Sequence, residues 1–167
     1  MRATEITCSS PPPVARAAVA LSYVGVMSHI LLVESDPALA RLVGDHLVSA
    51  GHNVITVCDG RRAIATLVNF QPDLVMLEVE LPDGVGFALC RLFRQLHATA
   101  QIPVVLIGEG QDPAMGGRTL LAGGDVFVPR PFDPCDLVAR VAAHLVIANH
   151  FRCGDRPLNL DHAGVIR

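Results

Sequence analysis

Residues 72–84 read PDLVMLEVELPDG, and the fold turns on how that stretch is read. Taken as a buried strand that empties into a loop at Pro82-Asp83-Gly84, it places Glu78 at the carboxyl end of the strand. Open α/β sheets put their chemistry at that end. A glutamate there needs either a partner or a purpose.

The same pattern recurs on both sides. HILLVE (29–34) is a continuous apolar run, too short for a helix and flanked by polar residues, as befits a strand covered on both faces. Residues 37–50 carry Leu39, Leu42, Val43 and Leu47 at helical spacing. Asp36 stands as the N-cap, Pro37 at the first helical position and Gly51 as the stop. NVITVC, DLVMLE, PVVLIG and DVFVP supply four further strands.

Residues 61–70, 85–97 and 134–149 predict helices between and after these strands. The apolar side of the second holds Phe87, Leu89, Cys90, Phe93 and Leu96, and that of the third holds Leu137, Val138, Val141, Leu145 and Val146. QDPAMGGRTLLAGG (111–124) predicts the weakest helix, because Gly116 and Gly117 each cost about 1 kcal/mol relative to alanine. Five strands alternating with five helices predict an α/β fold: a doubly wound parallel sheet in the order 2-1-3-4-5, with right-handed crossovers and helices on both faces. Its crevice would be rimmed by Glu34, Ser35 and Asp36 after strand 1, Glu78 after strand 3, Gly108 after strand 4 and Arg130 after strand 5.

Composition bounds the rest. A chain of 167 residues, 51% hydrophobic, suits one compact domain with an aliphatic core plus appendages. The net charge of −3 comes from acidic residues interspersed with basic ones, which leaves no electrostatic footprint for nucleic acid in these residues. All thirteen basic residues are arginine. Five cysteines, far apart and without a CxxC pair, argue against a disulfide framework and for a reducing compartment, the cytoplasm. His150, Cys153 and His162 match no zinc spacing. The apolar segment at 17–27 is too short to span a bilayer and lacks a clear cleavage site. Translation is therefore expected to start at Met27, where MSHILLVESD opens directly into a strand, with residues 1–28 a disordered or artefactual leader outside the domain.

Six blocks in order carry a resemblance: ILLVESDP, GHNVITVCDGRRAIATL, PDLVMLEVELPDGVGFALCRLFR, IPVVLIGEG, LLAGGDVFVPRPFDP and LVARVAAHL. Over residues 29–148 the chain resembles the receiver domain of bacterial two-component response regulators, a non-enzymatic signalling module with a flavodoxin-like or CheY-like fold. The resemblance implies two acidic residues after strand 1 that help hold Mg²⁺, a phospho-accepting aspartate after strand 3, a Thr/Ser after strand 4 and a lysine after strand 5. This sequence departs at these positions. Glu34 and Ser35 stand at the acidic pair, Glu78 at the acceptor, Gly108 at the Thr/Ser and Arg130 at the lysine, before the cis-prone Pro131.

Those departures argue against Mg²⁺, or any other cofactor, and against ordinary phosphorylation. A glutamate reaches one methylene further than an aspartate, and misplacement near 1 Å can cost on the order of 100-fold. Arg130 is instead expected to grip Glu78 from a neighbouring strand end, bidentately as guanidinium does, with Glu34 close enough to share it. The plainer alternative is a decayed site whose charges merely neutralise one another.

The resemblance also marks Phe127 as the family's switch aromatic, or else simply core. It marks Arg118, Val126, Asp136 and Arg140 as a homodimer face of the OmpR/PhoB-type winged-helix subfamily, with a more apolar seam. FRCGDRPLNLD (151–161) resembles the opening strands of that subfamily's effector domain, so residues 149–167 read as a linker and the start of a truncated DNA-binding domain. DNA would then be met only through a part missing from this chain. The function expected is a phosphorylation-independent response regulator acting in transcription, with a histidine kinase or another protein as a possible partner. A stand-alone interaction module and a small-molecule sensor using the pocket left by Ser35 and Gly108 are the alternatives.

Overall fold

The computed structural model describes residues 27–154 except Ala98 and Gln111. Residues 1–26 of the leader and residues 155–167 of the expected linker and effector-domain start lie outside the described residues, as do the side chains of His150, Cys153 and His162. The strands are β1 (His29–Val33), β2 (Asn53–Val57), β3 (Leu74–Glu78), β4 (Val104–Glu109) and β5 (Val126–Arg130). The helices are α1 (Pro37–Ser49), α2 (Gly60–Thr66), α3 (Gly86–Gln95), α4 (Ala114–Leu121) and α5 (Pro134–Gly154). All strand pairs are parallel, in the order β2-β1-β3-β4-β5.

The side chains of each strand alternate between two apolar layers. Leu31, Val33, Val75, Leu77 and Leu106 face one layer, closed by Leu89, Cys90 and Phe93 of α3. Ile30, Leu32, Leu74, Met76 and Ile107 face the other, closed by Val43 and Leu47 of α1 and Leu137, Val141 and Leu145 of α5. Burying each such side chain contributes about 1.5–3 kcal/mol. Covering on both faces is why the strands read as continuous apolar runs.

Local signals set the helix starts. Asp36 accepts hydrogen bonds from the backbone N–H groups of Ala38 (2.8 Å) and Leu39 (3.3 Å), and Gly51 takes φ +92° just past the helix. Three boundaries differ from expectation. α2 stops at Thr66, because Phe70 leaves the helix to set its ring edge-on to His29, with centroids 5.7 Å apart. α3 runs only from Gly86 to Gln95. A β-carbon at Gly86 would lie 2.4 Å from the Val79 carbonyl oxygen, so only glycine lets the helix begin so close to β3. α5 continues to Gly154, taking in residues 149–154 that were read as linker. On its surface Val146 is 39% exposed and does not face inward as its spacing suggests. α4 forms despite its glycines, anchored by buried Met115 and Thr119.

Arg94 fastens α3 to the start of the two strands at the β5 edge. Its Nε donates to the Gly123 carbonyl (2.5 Å), Nη1 to the Ile102 carbonyl (2.5 Å) and Nη2 to Asp125 Oδ2 (2.7 Å). The same Asp125 oxygen accepts from Val104 N–H at 2.7 Å. Arg94→Ala leaves these acceptors without their donor and is expected to cost about 2 kcal/mol in urea unfolding. Arg94→Lys should recover only part of it, lacking the fork. A loss within measurement error for Arg94→Ala would refute the clamp.

Candidate functional site

The carboxyl ends of β1, β3 and β5 bring Glu34, Glu78 and Arg130 together. Glu34 is fixed first: its backbone N–H donates to the Val57 carbonyl at 2.9 Å, and its Oε1 accepts from Asp36 N–H at 3.1 Å. Glu78 Oε2 accepts from Ser35 twice, from the backbone N–H (2.9 Å) and from Oγ–H (2.5 Å). Arg130 Nη2 then donates to Glu34 Oε2 at 2.8 Å and to Glu78 Oε1 at 3.0 Å. Both carboxylates are buried, with side chains 1% and 4% exposed.

Two expectations are corrected here. The grip on Glu78 is not bidentate: a single guanidinium nitrogen bridges two carboxylates, because Glu34 competes for it. Nor do Glu78 and Arg130 leave neighbouring strands. β4 stands between β3 and β5, and the long arginine side chain spans the gap. The Arg130-Pro131 peptide bond beside the site is cis.

The space at Gly108 is not an open pocket. A β-carbon there would lie 2.9 and 3.0 Å from the Glu80 carboxylate oxygens and 3.1 Å from Phe127 Cε2. Glu80 has turned in from the β3–α3 loop and also accepts from Glu109 N–H at 3.2 Å. Glu80 was missed from the sequence. No periodicity gives its direction, because β3 ends at Glu78 and Glu80 lies in the bend that follows. A groove of about 510 Å³ lies on the Ser35 side, between α1 and β2, walled by Ala40, Gly44, Val54 and Thr56.

The surrounding residues are placed as follows. Phe127 is half-buried on β5 and packs against the apolar layer that includes Leu106 and Ala122. Arg118 on α4, half-buried Val126 on β5, and Asp136 and Arg140 on α5 lie on the three elements around the β5 edge of the sheet. Arg118 is engaged within its own chain, its guanidinium carbon 4.7 Å from the centroid of the Phe87 ring.

The model of the response regulator receiver domain family matches residues 30–142. The chain belongs to that family. It is 38% identical over 122 residues to the DNA-binding dual master transcriptional regulator RpaA of Synechocystis, covering 71% of this chain and 49% of that protein. It is 33% identical over 140 residues to the phosphate regulon transcriptional regulatory protein PhoB of Rhizobium meliloti, covering 80% and 62%. The receiver thus spans about half the length of the curated relatives it matches. Among solved structures it resembles a two-component response regulator from Clostridium difficile, with TM-score 0.68 and 26% identity over 74% of this chain and 99% of that one.

The receiver family implies Mg²⁺ beside the acceptor, and the residues present do not fit it. Ser35 offers a hydroxyl where a carboxylate would be needed, and that hydroxyl donates to Glu78. The Arg130 guanidinium takes the inner oxygens of both remaining carboxylates, so a second cation would meet a positive charge. Among the described residues no three His, Cys, Asp or Glu side chains form a metal cluster. No helix among them is long and apolar enough to cross a membrane.

Burial pushes the Glu34 carboxyl up to about 7, with the Asp36 N–H and the Arg130 charge opposing and the Glu78 carboxylate reinforcing the rise. For Glu78 burial also acts upward, but the two Ser35 hydrogen bonds and Arg130 outweigh it and hold it below 4.5. Folded Glu34 therefore binds a proton that the unfolded chain has released between pH 4.5 and about 7. Its contribution is complete below 4.5 and is lost as pH rises through about 7. Glu78 contributes in the opposite sense, its part being lost only in acid, below 4.5. Each pKa unit is worth about 1.4 kcal/mol, so the rise from 4.5 to about 7 corresponds to at most roughly 3–4 kcal/mol. His52, lowered by burial, gains stability as pH rises toward 6.5 and opposes this trend. The clean measurement is therefore the difference between wild type and Glu34→Gln, unfolded in urea at pH 5.5 and pH 8. Wild type should lose stability relative to the variant as pH rises. Parallel profiles would show that Glu34 does not hold the proton.

Proposed function

We propose that this receiver works without phosphorylation, as the signalling and dimerisation part of a transcription regulator. The observation that carries the reading is Arg130 Nη2 held between Glu34 and Glu78. That arrangement supplies inside the chain the cation and anion that phosphoryl chemistry would bring from outside, and it needs no Mg²⁺, no other cofactor and no enzymatic activity. RpaA and PhoB carry DNA-binding or regulatory roles in their names. For this chain, contact with DNA would fall to an effector domain beyond the receiver. A kinase or another protein is the partner class that the family suggests, and the cytoplasm its place.

The output surface in this reading is the β5 edge with α4 and α5, used by a second copy of the chain. Leu120 and Leu121 on α4 are 68% and 86% exposed, beside Gly116 and Gly117, whose missing side chains leave open space. An apolar centre with Arg118, Asp136 and Arg140 at its rim suits a modest interface. Sedimentation at tens of micromolar should show a weak dimer that Val126→Asp disrupts and that acetyl phosphate with Mg²⁺ leaves unchanged. A strict monomer, or a dimer indifferent to Val126→Asp, would remove this surface from the account. A dimer strengthened by acetyl phosphate would contradict phosphorylation-independence. The groove between α1 and β2 supports a second reading, a small-molecule sensor entered from the Ser35 side.

A further inference from the structure

Gly108 leaves a side-chain-sized space at the end of β4, and two groups from different elements share it. One is the Glu80 carboxylate; the other is the edge of the Phe127 ring. Glu80 is an exposed residue whose carboxylate nonetheless reaches over Gly108, and the backbone bond from Glu109 at 3.2 Å is a long one. The edge of an aromatic ring is electropositive and favours a carboxylate beside it. Remove the carboxylate, and the ring has free volume on the side where Gly108 offers no atoms.

Movement of that ring would be felt by α4. Phe127 packs on the same apolar layer as Ala122, the C-cap of α4, and α4 itself packs on β5. The helix is only eight residues long and carries two adjacent glycines, and the one side chain among the described residues that caps its start is Asp112, whose Oδ1 accepts from Ala114 N–H at 2.9 Å. Its hold therefore depends on the few groups beneath it.

We propose that Glu80 is a positioning residue: its carboxylate fills the Gly108 space, fixes the Phe127 ring and through the ring holds α4 in one arrangement. This inference rests on the reading of the β5 edge as the receiver's output surface, and it names the group that sets the state of that surface. It assigns to a loop glutamate a task for which β4 has no side chain.

The test uses the full chain labelled with para-fluorophenylalanine and no phosphate donor. Six phenylalanines are present, and the Phe127 resonance is assigned by its loss in Phe127→Leu. Glu80→Ala should shift or broaden that resonance and speed hydrogen exchange of the α4 amides roughly tenfold relative to wild type. Glu80→Gln keeps the volume and the acceptor for Glu109 N–H, and should restore both readouts. Gly108→Ala should also move the resonance, since its methyl displaces the carboxylate and crowds the ring. An unchanged Phe127 signal and unchanged α4 exchange in Glu80→Ala would overturn the proposal, as would Glu80→Gln behaving like Glu80→Ala. Sedimentation of the same samples reports on the output surface separately, so failure of the dimer reading and failure of the Glu80 role give different results.

Discussion

Arg130→Ala is expected to lower the stability of the domain by about 3 kcal/mol at pH 8, the low end for leaving buried charge without its partner. Arg130 touches both carboxylates through one nitrogen, so its removal leaves two anions facing each other with side chains 1% and 4% exposed. Ser35 and the Asp36 N–H still serve one oxygen of each, which keeps the cost from reaching the upper range. Protonation gives partial relief. Glu34 already titrates near 7 beside Arg130, and without the cation its affinity for a proton rises further. The cost should therefore shrink at pH 5.5. Urea unfolding at the two pH values reads it, and a loss below about 1 kcal/mol at pH 8 would fit a surface ion pair instead.

Incubation with acetyl phosphate and Mg²⁺ is expected to leave the intact mass unchanged. In-line attack needs a free carboxylate oxygen, a correctly placed phosphorus and cations to spread the developing charge. Here Glu78 Oε2 is taken by two donors from Ser35 and Oε1 by Arg130. The extra methylene shifts the carboxylate by about 1 Å, a displacement that alone can cost on the order of 100-fold. Ser35→Asp combined with Glu78→Asp restores family chemistry at two positions and frees Arg130 from one partner, so that variant should gain reactivity first. A wild-type fraction carrying the mass of one phosphoryl group, comparable with an ordinary receiver under the same conditions, would refute the reading.

Much of this could be read from residue types alone. The continuous apolar runs gave the strands, because burial on both faces leaves no polar alternation, and their alternation with helical segments gave a doubly wound parallel sheet, for which β2-β1-β3-β4-β5 was the expected order. Asp36, Pro37 and Gly51 marked the α1 boundaries through local chemistry. The meeting of Glu34, Ser35, Glu78 and Arg130 followed from strand ends sharing one edge of the sheet. What stayed hidden depends on where long side chains turn. One nitrogen bridging two acids, Glu80 folding back over Gly108, and Arg94 reaching carbonyls at Ile102 and Gly123 are choices among rotamers decided by distant neighbours. Helix ends were hidden for a related reason: α2 stops where Phe70 finds His29, a contact made only once β1 is in place.

The central claim is that Arg130 and Glu78 act as one unit inside the receiver, and a double-mutant cycle measures that directly. Arg130→Ala, Glu78→Gln and the double variant are unfolded in urea at pH 8 beside the wild type. Arg130→Ala leaves two carboxylates facing each other, while in the double variant only Glu34 keeps its charge and the Ser35 donors still have an oxygen to bind. The double variant should therefore be more stable than the sum of the single losses implies, by about 1–3 kcal/mol, the range for residues in one network. Losses that add within about 0.3–0.5 kcal/mol, as independent sites do, would contradict the built-in pair.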